Sequence, residues 1–236
     1  MVYFLSVPKV TVQVEVFSIM IVVGLIFGFM VYANRQLTQS DPLAKPKGVV
    51  LLCTIYVNFI SKLTTDNMGA KAAKTYSPYI GALALFMVLS NISGLFGLAQ
   101  PTANYSVTLT LALITFVLVQ STVYRSVGLK QFFHRFIEPF PPFIIMNFFG
   151  TIAPLVSMSL RLFGNITSGS VIMMLFYTFT GYVSGMIPII GKFDFIGVLT
   201  GPFLHAYFDL FAGLIQTYIF IMLTTIFIGN ELSQEE

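Results

Sequence analysis

Long stretches without charged residues are the feature that most constrains how this chain can fold. No Asp, Glu, Lys or Arg occurs between residues 75 and 124, and between residues 139 and 191 Arg161 alone is charged. A helix needs roughly 20 apolar residues to cross a bilayer, because each residue rises about 1.5 Å and the hydrocarbon is about 30 Å thick. These stretches therefore predict membrane-spanning helices.

The composition points to the same class of protein. Of the 236 residues, 56% are hydrophobic and only 9% are charged, whereas soluble domains carry about 25% charged residues. This excludes a soluble enzyme. The net charge of +3 comes without a basic block, so nucleic acid is not expected as a partner. With one cysteine and two histidines we expect no metal site and no cofactor.

Three spans are predicted in the first half of the chain. The uncharged run 16–34 is longer than the core of a signal peptide and is interpreted as a retained first helix. Helices at about 77–98 and 105–124 are separated by the turn-forming cluster 99–104. The apolar stretch 49–60, flanked by lysines, is predicted to be an amphipathic segment on the membrane surface.

The distribution of Lys and Arg predicts the orientation. Residues 35–74 contain six such residues, the turn around Pro101 contains none, and 125–135 contain three. Because cytoplasmic loops are enriched in Lys and Arg, the amino terminus is expected outside the membrane and the first and third loops in the cytoplasm.

The last hundred residues predict an unusually long helical hairpin. A helix over about 143–180 would be roughly 57 Å long, so it must be strongly tilted or kinked at Pro154. After a Gly- and Pro-rich break at 181–191, a second apolar segment runs over about 196–229 and returns the carboxyl terminus to the cytoplasm.

The predicted fold is therefore an all-α integral membrane protein of about five to six membrane helices, whose last two form a long tilted hairpin. It forms a single membrane domain, 1–236, in which 1–135 hold the amino-terminal spans and loops. The hairpin occupies 136–236.

Arg161 is a functional candidate because a central intramembrane arginine costs about 2.5–3.5 kcal/mol on insertion scales and persists mainly where it faces protein or water. It is too far from the helix ends to snorkel easily. At 100° per residue it shares one helix face with other polar or helix-perturbing residues. This polar stripe contains Asn147, Thr151, Pro154, Arg161, Asn165 and Ser168. Such a stripe either hydrogen-bonds a neighbouring helix or lines an aqueous path.

The partner helix holds Asp209, with His205 four residues before it and Gln216 seven residues after it. These spacings place all three on one side, with Asp209 and Gln216 about 10 Å apart along the axis. Asp209 could exchange a proton, or it could simply be satisfied by a hydrogen bond from His205. A third reading places Asp209 near an exposed helix start at Pro202.

The segment 159–165, SLRLFGN, resembles subunit a of the F-type ATP synthase, the stator half of its membrane rotor. The resemblance covers nearly the whole chain, including KPKG at 45–48, NISGL at 91–95, PTANYSVT at 101–108 and IQTYIFIMLT at 215–224. It implies that Arg161 is the essential arginine facing the ring of c subunits. Asn165 would be its neighbour one turn on, and Gln216 the glutamine of the last helix.

Some positions depart from the family pattern. Many bacterial members carry an acid nine residues after the arginine, where this chain has Ser170. The acid stands instead at Asp209, and mitochondrial members likewise place theirs on the last helix. Asn147 occupies a position that is often acidic, and Asn104 replaces the usual aspartate of the external turn. Ser170 and Asn147 are the weaker candidates for lining the ion path.

The resemblance implies a non-catalytic subunit that forms two half channels for H⁺ or Na⁺, with the hairpin 136–236 as its ion-translocating part. The implied partners are the c-ring, the subunit b peripheral stalk, the rest of the complex and membrane lipid. The implied location is a bacterial cell membrane, with the mitochondrial inner membrane as the alternative. An independent channel or secondary transporter is the competing class, although no internal repeat is found. An intramembrane enzyme is disfavoured because no catalytic pattern occurs.

Overall fold

The structure is a computed structural model of the chain. It describes residues 4–7, 10–40, 45–134, 136–137, 140–186 and 193–233. The helices are α1 Val14–Gln39, α2 Gly48–Ile92, α3 Tyr105–His134, α4 Ile144–Gly185, α5 Phe195–His205 and α6 Ala212–Ser233. Among these described residues, five helical segments are long and apolar enough to cross a membrane, which confirms the predicted class.

A short β-hairpin before α1 was not predicted. Its strands are β1 Phe4–Val7 and β2 Val10–Gln13, which pair antiparallel with Phe4 opposite Gln13. Gln13 also accepts a hydrogen bond from the side-chain amide of Asn104, at 3.0 Å. This bond places the start of α1 beside the turn between α2 and α3.

Helix α2 folds back on itself at Gly69, whose φ of 75° and ψ of 160° are not helical. The hydroxyl of Tyr56 donates to the carbonyl of Gly81 at 2.5 Å, and the hydroxyls of Thr64 and Ser77 lie 2.7 Å apart. The predicted surface segment 49–60 is therefore helical and packs against the span that follows it. Its position at the membrane surface stays a prediction.

The remaining predicted spans are confirmed with adjusted bounds. Helix α3 contains a break at Gly128 (φ 77°), and two 3₁₀ turns, Ser93–Phe96 and Pro101–Ala103, connect it to α2. Helix α4 continues through Pro154 and ends at Gly185, later than predicted. The rest of the predicted break, 187–191, and the terminal residues 234–236 lie outside the described residues.

Helix α4 forms one arm of the predicted hairpin, and α5 with α6 forms the other. Helix α4 has 42 residues and is therefore about 63 Å long, twice the hydrocarbon thickness, which requires a strong tilt. Helices α5 and α6 run back along it, joined by a π-helical segment, Ala206–Phe211. The division of the chain at residue 135 stays a prediction.

The core lies where α2, α3, α4 and α6 meet. The rings of Tyr105 and Phe163 touch edge to face, with centroids 5.5 Å apart, so α3 covers α4 only up to about Phe163. Fully buried core side chains include Ile80, Met87, Leu162 and Phe220. The hairpin beyond Phe163 therefore projects from the four-helix core, and this projection carries several of the candidate residues.

Candidate functional site

Arg161 lies on the surface of α4 near the middle of the hairpin. Its side chain is exposed, and its guanidinium lies 3.4 Å from the hydroxyl of Ser157, one turn earlier on the same helix. Within the described ranges, no carboxylate forms an ion pair with it. A guanidinium is always charged and offers five N–H donors in a planar fork. The exposed guanidinium of Arg161 can therefore donate hydrogen bonds to an acidic group outside the chain.

Gln216 lies at the same height along the hairpin as Arg161. The side-chain amide of Asn165 reaches the carbonyl of Ala212 at 3.5 Å, which sets the antiparallel register of α4 and α6. One turn further along each helix are Arg161 and Gln216. Gln216 is 6% exposed, so its side chain lies within the packed helices and not on the outer surface.

Asp209 and His205 form a close pair on the projecting part of the hairpin. His205 Nδ1 and Asp209 Oδ2 lie 2.7 Å apart, and their side chains are 40% and 21% exposed. The ring of Tyr177 on α4 lies 6.1 Å from the His205 ring, centroid to centroid. The predicted hydrogen bond between the two residues is therefore present, but the pair is also accessible from the surface.

The backbone around Asp209 is π-helical over six residues. Such segments are rare and frequently occur at functional sites. The register of 100° per residue assumed from the sequence does not hold here. The helix begins at Phe195 and includes Pro202 in its interior, so the alternative that placed Asp209 near an exposed helix start is wrong.

The weaker candidates lie on opposite sides of Arg161 along α4. Ser170 follows Gly169, which approaches Phe208 of the π segment, and its hydroxyl donates to the carbonyl of Ile166 at 3.0 Å. Asn147 is at the start of α4, about 21 Å from Arg161 along the helix. Its side-chain amide donates to the carbonyl of Phe136 at 3.1 Å.

The polar stripe of α4 has two kinds of surroundings, and that it lines an aqueous path stays a prediction. Asn165 hydrogen-bonds the neighbouring helix, whereas Asn147, Thr151 and Pro154 line a cavity. Arg161 lies between this cavity and the Asp209 pair. The order along the hairpin is a polar cavity, a fixed positive charge and an accessible carboxyl.

Two polar centres among the described residues were missed from the sequence. Asn91, fully buried, donates to the carbonyl of Gly213 at 3.0 Å and to Thr217 at 3.2 Å, and it accepts from Thr102 at 2.8 Å. Its partners are up to 126 residues away, so no local pattern reveals it. The network fixes the turn after α2 against the start of α6.

Asp194 is the second missed centre, at the start of α5. Its carboxylate accepts hydrogen bonds from the Thr180 and Ser184 hydroxyls, at 2.7 and 3.0 Å, and from the Gly197 backbone N–H at 2.9 Å. Bonds from Thr180 and Gly197 lower its pKa against a smaller opposing effect of burial. An acid just before an apolar run is a helix-cap signal that could have identified it.

Comparisons with known proteins identify the family. The model of the ATP synthase A chain family matches residues 16–229. "ATP synthase subunit a" of Mycoplasma pneumoniae is 34% identical, with 94% of this chain and 82% of the relative aligned. The Mycoplasma genitalium protein of that name is 34% identical over 89% and 76% of the two chains. One from Streptococcus pneumoniae is 30% identical over 92% and 90%. This chain therefore belongs to the ATP synthase A chain family.

Proposed function

We propose that this chain is the stator subunit of a rotary ATP synthase that passes H⁺ or Na⁺ through two half channels to and from the carboxyls of a c-ring. The chain has no catalytic chemistry of its own. Its other partners are the subunit b peripheral stalk, the rest of the complex and membrane lipid. The proposal is carried by Arg161, a permanent cation exposed at mid-hairpin, with polar groups on either side of it.

Electrostatic magnitudes support a reversible encounter between Arg161 and each rotor carboxyl. At 4 Å such an ion pair is worth about 4 kcal/mol at an effective dielectric constant of 20. A membrane potential supplies about 2.3 kcal/mol per charge per 100 mV. Because the two energies are comparable, the pair can form and break at every step of rotation.

The fixed charge also keeps the two half channels apart. A cation moving directly from the Asp209 side to the Asn147 side would have to pass Arg161, which repels it. Rotation of the ring then becomes the route that connects the two sides. Asp209, together with His205 and Gln216, lines the outer half channel and relays the ion.

The proposed orientation places the amino terminus outside a bacterial cell membrane and the carboxyl terminus in the cytoplasm. The Gln13–Asn104 bond places α1's start with the turn that lacks Lys and Arg. The start of α4 and the end of α6 share the opposite end of the core, because Asn147 and Glu231 line one cavity. The positive-inside rule makes that end cytoplasmic.

The test is ATP-driven ion uptake by inverted vesicles that contain the complete complex. Arg161→Ala is expected to abolish coupled uptake while ATP hydrolysis and subunit content stay as in the wild type. Ser157→Ala, which removes the neighbouring hydroxyl but keeps the charge, is expected to pump normally. Coupled transport by Arg161→Ala would overturn the proposal, and omitting Na⁺ identifies the ion.

A further inference from the structure

A cavity of about 320 Å³ lies between α3, α4 and α6, where α4 begins and α6 ends. Since a water molecule occupies about 30 Å³ in the liquid, this space has room for about ten waters. Polar side chains from three helices meet at its wall. They are Gln120 of α3, Asn147 and Thr151 of α4, and Glu231 of α6.

The cavity wall is held in place by hydrogen bonds of α4. Asn147 donates its side-chain amide to the carbonyl of Phe136 at 3.1 Å, and the Thr151 hydroxyl donates to the carbonyl of Asn147 at 2.8 Å. The first bond connects the first turn of α4 to the segment that follows α3, and the second lies within α4. The cavity is therefore a built feature of the fold.

Glu231 brings a carboxyl group to this polar space. It is half-buried on the last turns of α6 and, among the described residues, is the acid that lines the cavity. Glu231 falls within the last candidate span, Phe195–Leu232. Ionisable residues within membrane spans are rare and characteristically mark ion pathways, and rings of carboxylates select cations in cation channels. The chemistry of the cavity favours a cation.

The cavity lies on the same face of α4 as Arg161. Asn147, Thr151 and Pro154 share the helix face of Arg161 at 100° per residue, and all three line the cavity. Pro154 is seven residues, or about 10.5 Å, before Arg161 along the helix. A cation released beside the arginine on this side would enter the polar space within two turns.

We infer that this cavity is a cation-exchange site of the cytoplasmic half channel and that the Glu231 carboxylate binds the cation there. The inference rests on the proposed function. For H⁺, the proton leaves a rotor carboxyl for cavity water, passes to the Glu231 carboxylate and is released to bulk water. For Na⁺, the carboxylate and cavity waters coordinate the ion during the same passage. ATP-driven pumping reverses the order.

The first test compares Glu231→Gln and Glu231→Asp in the complete complex in inverted vesicles. Glu231→Gln is expected to slow ATP-driven ion uptake at least about 100-fold, the lower end of the range for losing a group that transfers protons. Glu231→Asp, which keeps the charge, is expected to recover most of the rate. The exposed neighbour Asn230 provides the control, since Asn230→Ala should pump normally. Wild-type pumping by Glu231→Gln would overturn the inference.

A second measurement applies if the glutamine variant does not assemble. In a Cys53→Ser background, Gln120→Cys places a thiol in the cavity, and Val117→Cys places one a turn earlier on the exposed surface. We expect a membrane-impermeant thiol reagent to modify the Gln120 thiol from the cytoplasmic side, at least about tenfold faster than the Val117 thiol. Equal rates would overturn the inference.

The Arg161→Ala variant, measured in the same vesicles, distinguishes a failure of the proposed function from a failure of the role assigned to Glu231. If Arg161→Ala still couples, the proposed function fails. If Arg161→Ala is uncoupled while Glu231→Gln pumps like the wild type, the proposed function stands and only the role of Glu231 fails.

Discussion

The Nδ1 atom of His205 and the Oδ2 atom of Asp209 lie 2.7 Å apart, on either side of the junction between α5 and the π segment. The bond satisfies both side chains, yet each keeps part of its surface exposed. The π-helical backbone at Asp209 is rare and is often found at functional sites. The contact is consistent with the proposed relay, in which His205 orients the carboxyl of Asp209.

The first prediction concerns Asp209→Asn. The amide can still accept a hydrogen bond from His205, so the fold is expected to persist, but it cannot take up or release a proton. We expect ATP-driven uptake in inverted vesicles to fall at least about 100-fold, the usual scale for losing a proton-transfer group. Asp209→Glu should retain most of the activity. Unchanged uptake by the asparagine variant would remove Asp209 from the ion path.

The second prediction concerns the buried Asn91 network. Asn91→Ala leaves the hydroxyl of Thr102 without its acceptor in a buried position, which costs about 1–3 kcal/mol. The midpoint temperature of subunit loss from the detergent-solubilised complex should fall accordingly. Asn230→Ala, at an exposed position of α6, should change the stability by no more than about 0.5 kcal/mol, so its midpoint temperature should stay close to that of the wild type. Equal midpoints would mean that the network contributes little to stability.

The third prediction concerns the fold-back of α2. The φ and ψ of Gly69, 75° and 160°, lie in a region open essentially to glycine, and strain there costs about 1–3 kcal/mol for other residues. Gly69→Ala should therefore lower the amount of assembled complex and its thermal midpoint. Gly28→Ala, in α1 with nothing within 4 Å of the added methyl group, is the matched control. An equal response of both variants would contradict this account.

The helices could be predicted from the sequence because charge-free length is a direct requirement of a bilayer. The length of the apolar segment 196–229 was enough to predict that it returns along α4. The length of the charge-free stretch around Arg161 was enough to predict that this residue lies within the membrane. The fold-back at Gly69 could not be predicted in this way, because it depends on contacts such as Tyr56 with Gly81 between two helices of α2.

The candidate site was only partly predictable, for the same physical reason. The i, i+4 spacing of His205 and Asp209 is local, and their contact followed from it. The π segment changes the helical register around Asp209 and has no simple sequence signal. The Glu231 cavity combines residues of three helices separated by up to 111 positions of sequence, from Gln120 to Glu231, so only tertiary packing brings them together.

The last prediction concerns the pH dependence conferred by Asp194. Hydrogen bonds from Thr180 and Gly197 hold its pKa below the ordinary value. A carboxyl with a lowered folded-state pKa stabilises the fold above its unfolded pKa, about 3.9, and loses that contribution as the pH falls through the folded pKa. The thermal midpoint of the wild-type complex should therefore exceed that of Asp194→Asn at pH 7, and the difference should shrink below about pH 4. A difference that stays constant from pH 7 to pH 3 would show that the carboxylate charge does not contribute.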